Sequence, residues 1–174
     1  MVALDIRPTN NERRFGENEL IVSRTDTRGI ITYCNRTFVN IAGYNEVELL
    51  GKPHSIIRHP DMPRCVFQFL WDVIVKGEEI FAYVKNMARN GDYYWVIAHV
   101  TPTYDHGGNI IGYHSNRRSP KRSAVEAISG VYAALLDIER KASSSNEGMK
   151  QAYDVLIKTV QDSGKEYNEF ILSI

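Results

Sequence analysis

Hydrophobic and polar residues alternate in two short segments near the start of the chain, which is the pattern of β-strands with one buried face. Leu20–Ser23 and Ile30–Tyr33 are both rich in residues that favour strands. The Asp26–Gly29 segment between them (DTRG) has the residues of a tight turn. The sequence therefore predicts a β-hairpin, preceded by a polar N-terminal arm over residues 1–19 that is mobile or loosely docked.

The apolar spacing changes to a helical period after the hairpin. Asn35 is a favourable N-cap residue for a short helix that Gly43 ends, and residues 45–50 give a second short helix. Val66–Val75 carries apolar residues three and four positions apart, and Gly77 follows it. We therefore expect two short helices and one longer helix between the hairpin and the next strands.

Three further strand patterns follow the long helix. Ile80–Met87 and Asp92–Thr103 are separated by Asn90-Gly91, the dipeptide most typical of a two-residue hairpin turn. Asp105–Asn109 forms another turn, and Ile110–Asn116 is the last strand. Two strands, a group of helices and three strands predict an α+β fold, in which a five-stranded antiparallel sheet has short helices on one face.

Beyond Pro120 the apolar residues recur at helical spacing, with an interruption at Ser143–Gly148. In the last part the spacing alternates between four and three, as in a heptad seam, at Met149, Tyr153, Leu156, Val160, Ser163, Tyr167 and Phe170. Two interpretations are open: a helical hairpin that folds back on its own domain, or an interface for a second copy or a signalling partner. The predicted division is a central domain over residues 20–120 and a C-terminal helical segment over 121–174.

Composition and charge narrow the class of protein. The 174 residues allow one domain with an appendage, and 43% hydrophobic and 24% charged residues are typical of a globular chain. A formal net charge of zero argues against a broad electrostatic surface for nucleic acid or anionic lipid. Without a signal-peptide pattern or a run of about 18 apolar residues, we expect a cytoplasmic protein with no membrane span. Cys34 and Cys65 indicate neither a disulfide framework nor a metal site.

The segment Gly51–Pro63 (GKPHSIIRHPDMP) carries the densest candidate chemistry. Arg58, His59 and Asp61 lie close together in it, and its prolines favour a rigid, irregular connection. A rigid loop that holds a cation, an imidazole and a carboxylate together is a usual place for ligand contacts. The chain shows no nucleophile–base pair, phosphate-binding glycine loop or paired-carboxylate motif, so the sequence favours a binding protein over an enzyme.

Longer motifs carry a resemblance to a known family. The match includes RHPDMP at Arg58–Pro63, VKNMARNGDYYWV at Val84–Val96, and IGYHSNRRSP near the end of the last strand. Over roughly residues 20–120 the chain resembles the PAS sensor domain of the Aer-type aerotaxis and energy-taxis receptors. The resemblance implies a PAS fold, non-covalent binding of FAD, and a report of the flavin's redox state to a chemotaxis signalling partner, in cis or in trans, from a homodimer.

Carried over position by position, the resemblance implies flavin-site roles for seven residues. They are Arg58, His59, Asp61 and Asn86, with Asn35, Trp71 and Tyr94 at matching positions near the pocket. The chain departs from the family at Gly77–Ala82, where GEEIFA stands in place of a GxPWxG pattern. That departure replaces the family's aromatic residue with Ile80.

The chemistry of two of these residues agrees with a flavin. The amide of Asn86 offers a donor and an acceptor, which suits the polar edge of an isoalloxazine ring. The guanidinium of Arg58 suits a diphosphate or a ring carbonyl. Simpler roles are also open, namely a local ion pair between Arg58 and Asp61, a turn cap at His59, a strand-edge role for Asn86 and a core position for Trp71.

Other cofactors give rival interpretations. FMN has the same ring as FAD, but a light-sensing flavin adduct needs a cysteine where this chain has His54. Haem b in a gas sensor needs an axial histidine, which His54 or His59 would supply. A third possibility is a cofactor-free PAS module that docks or dimerises through the C-terminal helices.

Overall fold

Five strands and six helices make up the described part of the chain. The computed structural model describes residues 6–174. The elements are β1 (Ile21–Thr25), β2 (Ile31–Cys34), α1 (Arg36–Ala42), α2 (Glu46–Leu49), α3 (Arg64–Ile74), β3 (Ile80–Met87), β4 (Tyr93–Tyr104), β5 (Ile110–Arg118), α4 (Arg122–Lys141), α5 (Ser145–Asp162) and α6 (Tyr167–Leu172). A single 3₁₀ turn, His54–Ile57, precedes α3.

The strands form one sheet in the order β2-β1-β5-β4-β3, and every neighbouring pair is antiparallel. The predicted α+β fold with a five-stranded antiparallel sheet is therefore confirmed. The boundaries of β3 agree with the sequence, because the Asn90-Gly91 turn fixes its register with β4. In that register Asn86 lies opposite Tyr94.

Asn35 ties α1 to the first strand. Its side-chain oxygen accepts hydrogen bonds from the backbone N–H of Phe38 and of Val22, both at 3.0 Å. Its amide nitrogen donates to the carbonyl of Leu20 at 2.7 Å. The helix ends at Gly43, whose φ of 70° is the left-handed conformation typical of a C-terminal cap. The predicted helix boundaries at Asn35 and Gly43 are thus confirmed.

The N-terminal arm is docked more closely than the sequence predicts. Thr9 N–H donates to the carbonyl of Gly91 at 2.7 Å, and the Thr9 hydroxyl donates to Asp92 at 2.6 Å. Arg13 N–H donates to the carbonyl of Tyr93 at 2.7 Å. The described part of the arm therefore extends the β3–β4 hairpin, while residues 1–5 lie outside the described residues.

The C-terminal helices fold back on the domain, as the first interpretation of the heptad pattern predicts. The predicted seam is not one continuous helix, because α5 ends at Asp162 and Gly164 then takes a φ of 70°. Leu156 and Val160 are buried within the chain, and the seam residue Tyr153 packs against the same core. None of the helices within residues 6–174 is long and apolar enough to cross a bilayer.

The C-terminal helices cover the outer edge of β3. Tyr132 on α4 donates its hydroxyl to the carbonyl of Tyr83 at 2.8 Å. Asn168 on α6 accepts a hydrogen bond from the N–H of Phe81 at 2.9 Å. Because these side chains occupy backbone groups that a further strand would use, they protect this edge from pairing with another chain.

Helix α3 receives its N-terminal cap from α4. Its own N-cap position is Pro63, which offers no side-chain hydrogen bond. Instead the two carboxylate oxygens of Glu139 accept from Arg64 N–H at 3.0 Å and from Cys65 N–H at 2.9 Å. A carboxylate at this end satisfies orphan donors and complements the helix dipole, so the start of α3 depends on α4.

Candidate functional site

A cavity of about 320 Å³ lies between α3, the 3₁₀ turn and the inner face of the sheet. Its size is that of a site for a small organic molecule or cofactor. Much of the wall is apolar, and includes Ile57, Phe67, Leu70, Trp71, Val84 and Val100. The rest of the wall carries polar and charged side chains, which determine what the cavity can bind.

Helical and strand periods explain why these side chains converge. Phe67, Leu70, Trp71 and Ile74 lie three or four positions apart and so share one face of α3. On β3, the alternate residues Val84 and Asn86 project from the same side of the sheet. The helix face and the sheet face therefore form two roughly opposed walls, an arrangement that suits a flat ligand.

Asn86 places an unpaired amide in the cavity wall. The residue is only 4% exposed, and its side chain forms no hydrogen bond with any of residues 6–174. Its backbone pairs with Tyr94 across the sheet and with Arg58 in an isolated bridge. The amide lines the cavity without a protein partner among the described residues, and a ligand with a polar edge would supply one. This position therefore favours ligand binding over the strand-edge role.

Arg58 presents a second unpaired polar group. Its guanidinium carbon lies 4.2 Å from the centroid of the Phe67 ring, and the half-buried side chain lines the cavity. Burial lowers its pKa, but an arginine keeps its charge at any physiological pH. Within residues 6–174 the guanidinium forms no ion pair, so the possible local pair with Asp61 is absent; Asp61 instead contacts Lys85 at 2.8 Å.

Arg117 brings a buried positive charge to the same cavity. It is 2% exposed, and it forms no ion pair with any residue that the structure describes. Its Nη2 donates to the hydroxyl of Ser23 at 2.6 Å, and its guanidinium lies 4.4 Å from the centroid of the Phe38 ring. Nε and Nη1 are buried without a partner. Burial lowers the Arg117 pKa to about 10, which leaves the group charged at neutral pH.

His54 completes a short polar chain that begins at Arg117. Ser23 Oγ, which accepts from Arg117, also forms a hydrogen bond with His54 Nε2 at 3.0 Å, and the tautomer of His54 sets the direction of that bond. Burial, with a further effect of the Arg117 charge, lowers the His54 pKa to about 3. The imidazole is therefore neutral, and it is the histidine of the cavity wall within residues 6–174.

Trp71 contributes an aromatic ring to the cavity wall. Its ring meets Tyr113 edge-on, with centroids 5.5 Å apart. Gly29, in the β1–β2 turn, has a φ of 78°, and a Cβ atom there would lie 3.0 Å from Trp71 Cζ2. Trp71 is thus both a core residue and part of the wall. Ile80, at the family's aromatic position, is buried in a neighbouring apolar cluster.

His59 and Asp61 lie outside the cavity and hold the loop. His59 is 2% exposed, and its Nδ1 accepts from the N–H of Asp61 at 3.1 Å, which is the turn-cap role. Burial, with a smaller contribution from Lys85, lowers the His59 pKa to about 4. These two residues therefore fix the shape of the loop that carries Arg58.

Asn35 and Tyr94 also lie behind the wall. Asn35 caps α1, as described above. Tyr94 is fully buried, its hydroxyl has no partner among the described residues, and burial raises its pKa. Of the seven predicted residues, the structure brings Arg58, Trp71 and Asn86 together on the cavity wall.

Arg117 and Ser23 lie on the cavity wall but are not among the site residues predicted from the sequence. A usable signal was present in β5, where Tyr113, Ser115 and Arg117 alternate on one face. A charged residue on the buried face of a strand requires a partner or a ligand, so its position is informative once the register is known. Neither Cys34 nor Cys65 lies on the wall, and no group of three or more metal-binding side chains occurs in residues 6–174.

Comparisons with known proteins identify a family and several relatives. The family described as PAS fold matches residues 31–117. The aerotaxis receptor of Escherichia coli K12 is 39% identical over 127 residues, which cover 73% of this chain and 25% of the receptor. The nitrogen fixation regulatory protein of Klebsiella pneumoniae is 29% identical over 97 residues, which cover 56% of this chain and 20% of that protein. The chain thus spans a quarter or less of each relative.

Solved structures of light-oxygen-voltage receptors have a similar fold. The light-state structure of the blue-light photoreceptor Aureochrome1 LOV has a TM-score of 0.54 and 25% identity, and the match covers 70% of this chain and 91% of that one. An RNA-binding light-oxygen-voltage receptor has a TM-score of 0.56 at 15% identity, over 69% of this chain and 34% of that one. The second match concerns the fold alone.

Proposed function

This chain belongs to the PAS-fold family, and on that premise we propose that it is a redox sensor module that binds FAD non-covalently in the cavity between α3 and the sheet. The observation that carries the proposal is the buried, unpaired amide of Asn86 on an otherwise largely apolar wall. The identity with the aerotaxis receptor supports an output to a chemotaxis signalling partner.

The wall fits an isoalloxazine ring by its chemistry. The ring is a flat apolar slab with carbonyl and N–H groups along one edge, and Trp71 and Val84 offer apolar surface on opposite sides of the cavity. The Asn86 amide is able to donate to and accept from such an edge. The positive charges of Arg58 and Arg117 favour an electron-rich ligand over a cationic one.

A bound flavin supplies the electron transfer, and the residues of this chain supply the response to it. When the protonation state of the ring edge changes, the Asn86 side chain would have to change its hydrogen bond to that edge. The backbone of Asn86 pairs with that of Tyr94 on β4 and with that of Arg58 in the loop before α3. A rotation of the side-chain amide would therefore act on both of these segments.

Strand β3 links the cavity to the C-terminal helices. Asn86 and Val84 face the cavity, while the backbone groups of Phe81 and Tyr83 on the same strand are held by α6 and α4. A shift of β3 therefore changes the contacts of those helices, which would present the signal to a partner in cis or in trans. In a homodimer, the buried seam residues Leu156 and Val160 would not be available as the interface.

The first test is the visible spectrum of the protein purified in air, before and after dithionite. Bands near about 370 and 450 nm that bleach on reduction are expected for a flavin. The Asn86→Ala variant should bind FAD at least about tenfold more weakly, because a buried hydrogen-bonded edge loses its partner. The exposed Asn146→Ala variant is the matched control and should bind normally.

Two outcomes would overturn the proposal. A protein that stays colourless after incubation with FAD would be a cofactor-free docking module. A sharp Soret band near about 400–420 nm would indicate haem b instead, with His54 as the wall histidine to mutate. Release of the chromophore by heat, followed by chromatography, would distinguish FAD from FMN.

A further inference from the structure

A second cleft adjoins the cavity, and Arg58 lies in the wall of both. The cleft has a volume of about 390 Å³ and lies between the loop before α3 and the C-terminal helices. It brings together three guanidinium groups, from Arg58 in the loop, Arg64 at the start of α3 and Arg140 near the end of α4. These groups come from separate elements, so their convergence is produced by the tertiary fold.

Positive charge exceeds negative charge at this cleft. Glu139 is the carboxylate of the wall, and both of its oxygens already accept from the backbone of α3. Arg140 has only a loose contact of 3.7 Å with Asp61, whose other oxygen is held by Lys85 at 2.8 Å. Arg58 has no ion pair with the described residues.

Arg64 differs from the other two arginines because its side chain is partly engaged. Its Nη1 donates to the carbonyl and to the hydroxyl of Ser145 at the start of α5. The contacts with Ser145 are neutral, so the charge of Arg64 is not cancelled by them. The cleft thus presents two largely uncommitted guanidinium groups and a third held in place beside them.

We propose that this cleft binds the phosphate groups of the flavin whose ring occupies the adjoining cavity, so that α4 contributes directly to the ligand site. The inference rests on the proposed function, because it needs the ring in that cavity. Guanidinium groups bind phosphate through pairs of parallel hydrogen bonds, and three of them at one cleft suit a diphosphate. Arg58, at the junction, is the residue that the ring and the phosphates share.

The cleft makes ligand recognition depend on the C-terminal helices. Arg140 and Glu139 are neighbours on α4, so one residue contacts the ligand while the next holds the start of α3. Binding of the phosphates would therefore favour the docked position of α4. A flavin without phosphate would fill the cavity but would not contact Arg140 on α4.

The experiment compares riboflavin, FMN and FAD on the apoprotein by fluorescence quenching. We expect the wild type to bind FAD at least about tenfold more tightly than riboflavin. Arg140→Gln should weaken FAD binding about five- to tenfold and leave riboflavin binding unchanged. Inorganic pyrophosphate should compete with FAD and not with riboflavin. Arg122→Gln, on the same helix but paired with Glu12 at 2.9 Å, is the matched control and should change neither affinity.

The outcomes separate this inference from the proposed function. Equal affinities of the wild type for riboflavin and FAD would overturn the phosphate site and leave the ring site in place. An Arg140→Gln variant that loses riboflavin and FAD affinity equally would also overturn it, since the residue would then act through the fold. Absence of binding by any flavin would overturn the proposed function, and the phosphate site with it.

Discussion

Arg117 shows how one residue can carry information about a ligand. A buried guanidinium without a carboxylate is costly, and the Ser23 hydroxyl and the Phe38 ring are the contacts within residues 6–174 that offset that cost. The charge is close to the cavity and cannot be removed at neutral pH. An electron-rich ligand gains from this field, and the gain grows when the ligand accepts electrons.

The field of Arg117 gives a prediction about redox potential. Arg117→Gln should shift the midpoint potential of the bound flavin to a more negative value, because the form with more negative charge loses a stabilising cation. Spectroelectrochemistry would measure the shift. Arg24→Gln, which removes an exposed guanidinium 5.7 Å from the Tyr33 ring, is the control. An unchanged potential in Arg117→Gln would show that the charge does not act on the ring.

His54 and His59 predict how stability depends on pH. Their pKa values are lowered to about 3 and about 4 in the fold, while an unfolded histidine titrates near 6.5. The unfolded state therefore binds more protons below about pH 6.5, and the stabilisation present above that pH is lost as the pH falls towards the folded pKa values. Each histidine contributes up to about 1.4 kcal/mol per pH unit in this window.

Urea unfolding between neutral pH and pH 4 would measure this dependence. The His54→Gln variant should show a shallower loss of unfolding free energy with acidification, because one of the histidines with a lowered pKa is gone. His106→Gln, in the exposed β4–β5 turn, should keep the wild-type slope. A His54→Gln slope equal to that of the wild type would contradict the assignment of a neutral imidazole in the cavity wall.

Among the elements, the β1–β2 turn and α3 are coupled through Gly29 and Trp71. Gly29→Ala should lower stability by about 1 kcal/mol or more, through its positive φ and the contact with the indole. Gly108→Ala is a matched control, since its φ is 80° but no atom lies within 4 Å of the new Cβ. Near-UV circular dichroism should change in Gly29→Ala alone. Identical spectra for the two variants would show that the turn does not affect the environment of the Trp71 ring.

The cap that α4 provides for α3 is the second coupling between elements. Glu139→Ala should lower the free energy of unfolding by about 1–2 kcal/mol, because two backbone donors at the start of α3 lose their acceptor. Urea unfolding would measure it. Glu126→Ala, whose side chain is 70% exposed on the same helix, should change stability by less than about 0.5 kcal/mol. Equal effects would argue against a specific cap.

Local patterns predicted the elements well and their contacts poorly. The alternation in Ile80–Met87 and the Asn90-Gly91 turn are short-range signals, so β3 could be placed from the sequence. The contact between Glu139 and Arg64 joins residues 75 positions apart, and no local pattern reports it. The heptad spacing was real, but Gly164 takes a left-handed φ of 70° after α5, and α6 then packs on β3.

The candidate site divides in the same way. Arg58 and Asn86 belong to motifs that the sequence displays, and both reach the cavity. His59 and Asp61 belong to the same motif and do not, because the turn directs their side chains to each other and to Lys85. Arg117 reaches the cavity from a strand whose register becomes known only in the assembled sheet.

In the whole molecule, β3 and α3 connect the cavity to the C-terminal helices. Hydrogen exchange would therefore detect ligand binding far from the ring. We expect FAD to slow amide exchange in α4 around Glu139 as well as in α3 and β3, because the phosphate cleft and the cap share that part of α4. Helix α2, which has no residue on either cavity, should exchange at the same rate with and without FAD. Protection confined to β3 and α3 would contradict this coupling.

The Glu139 contact also bears on the order of events during synthesis of the chain. A ribosome adds about 5–20 residues per second and releases the N-terminal part first, so all five strands emerge before α4 is made. Until Glu139 is made, the first two amides of α3 lack the carboxylate that accepts from them in the folded chain. If the proposed FAD site is correct, we expect FAD to bind after the last helices have docked, and a nascent chain stalled before α4 to accumulate without it.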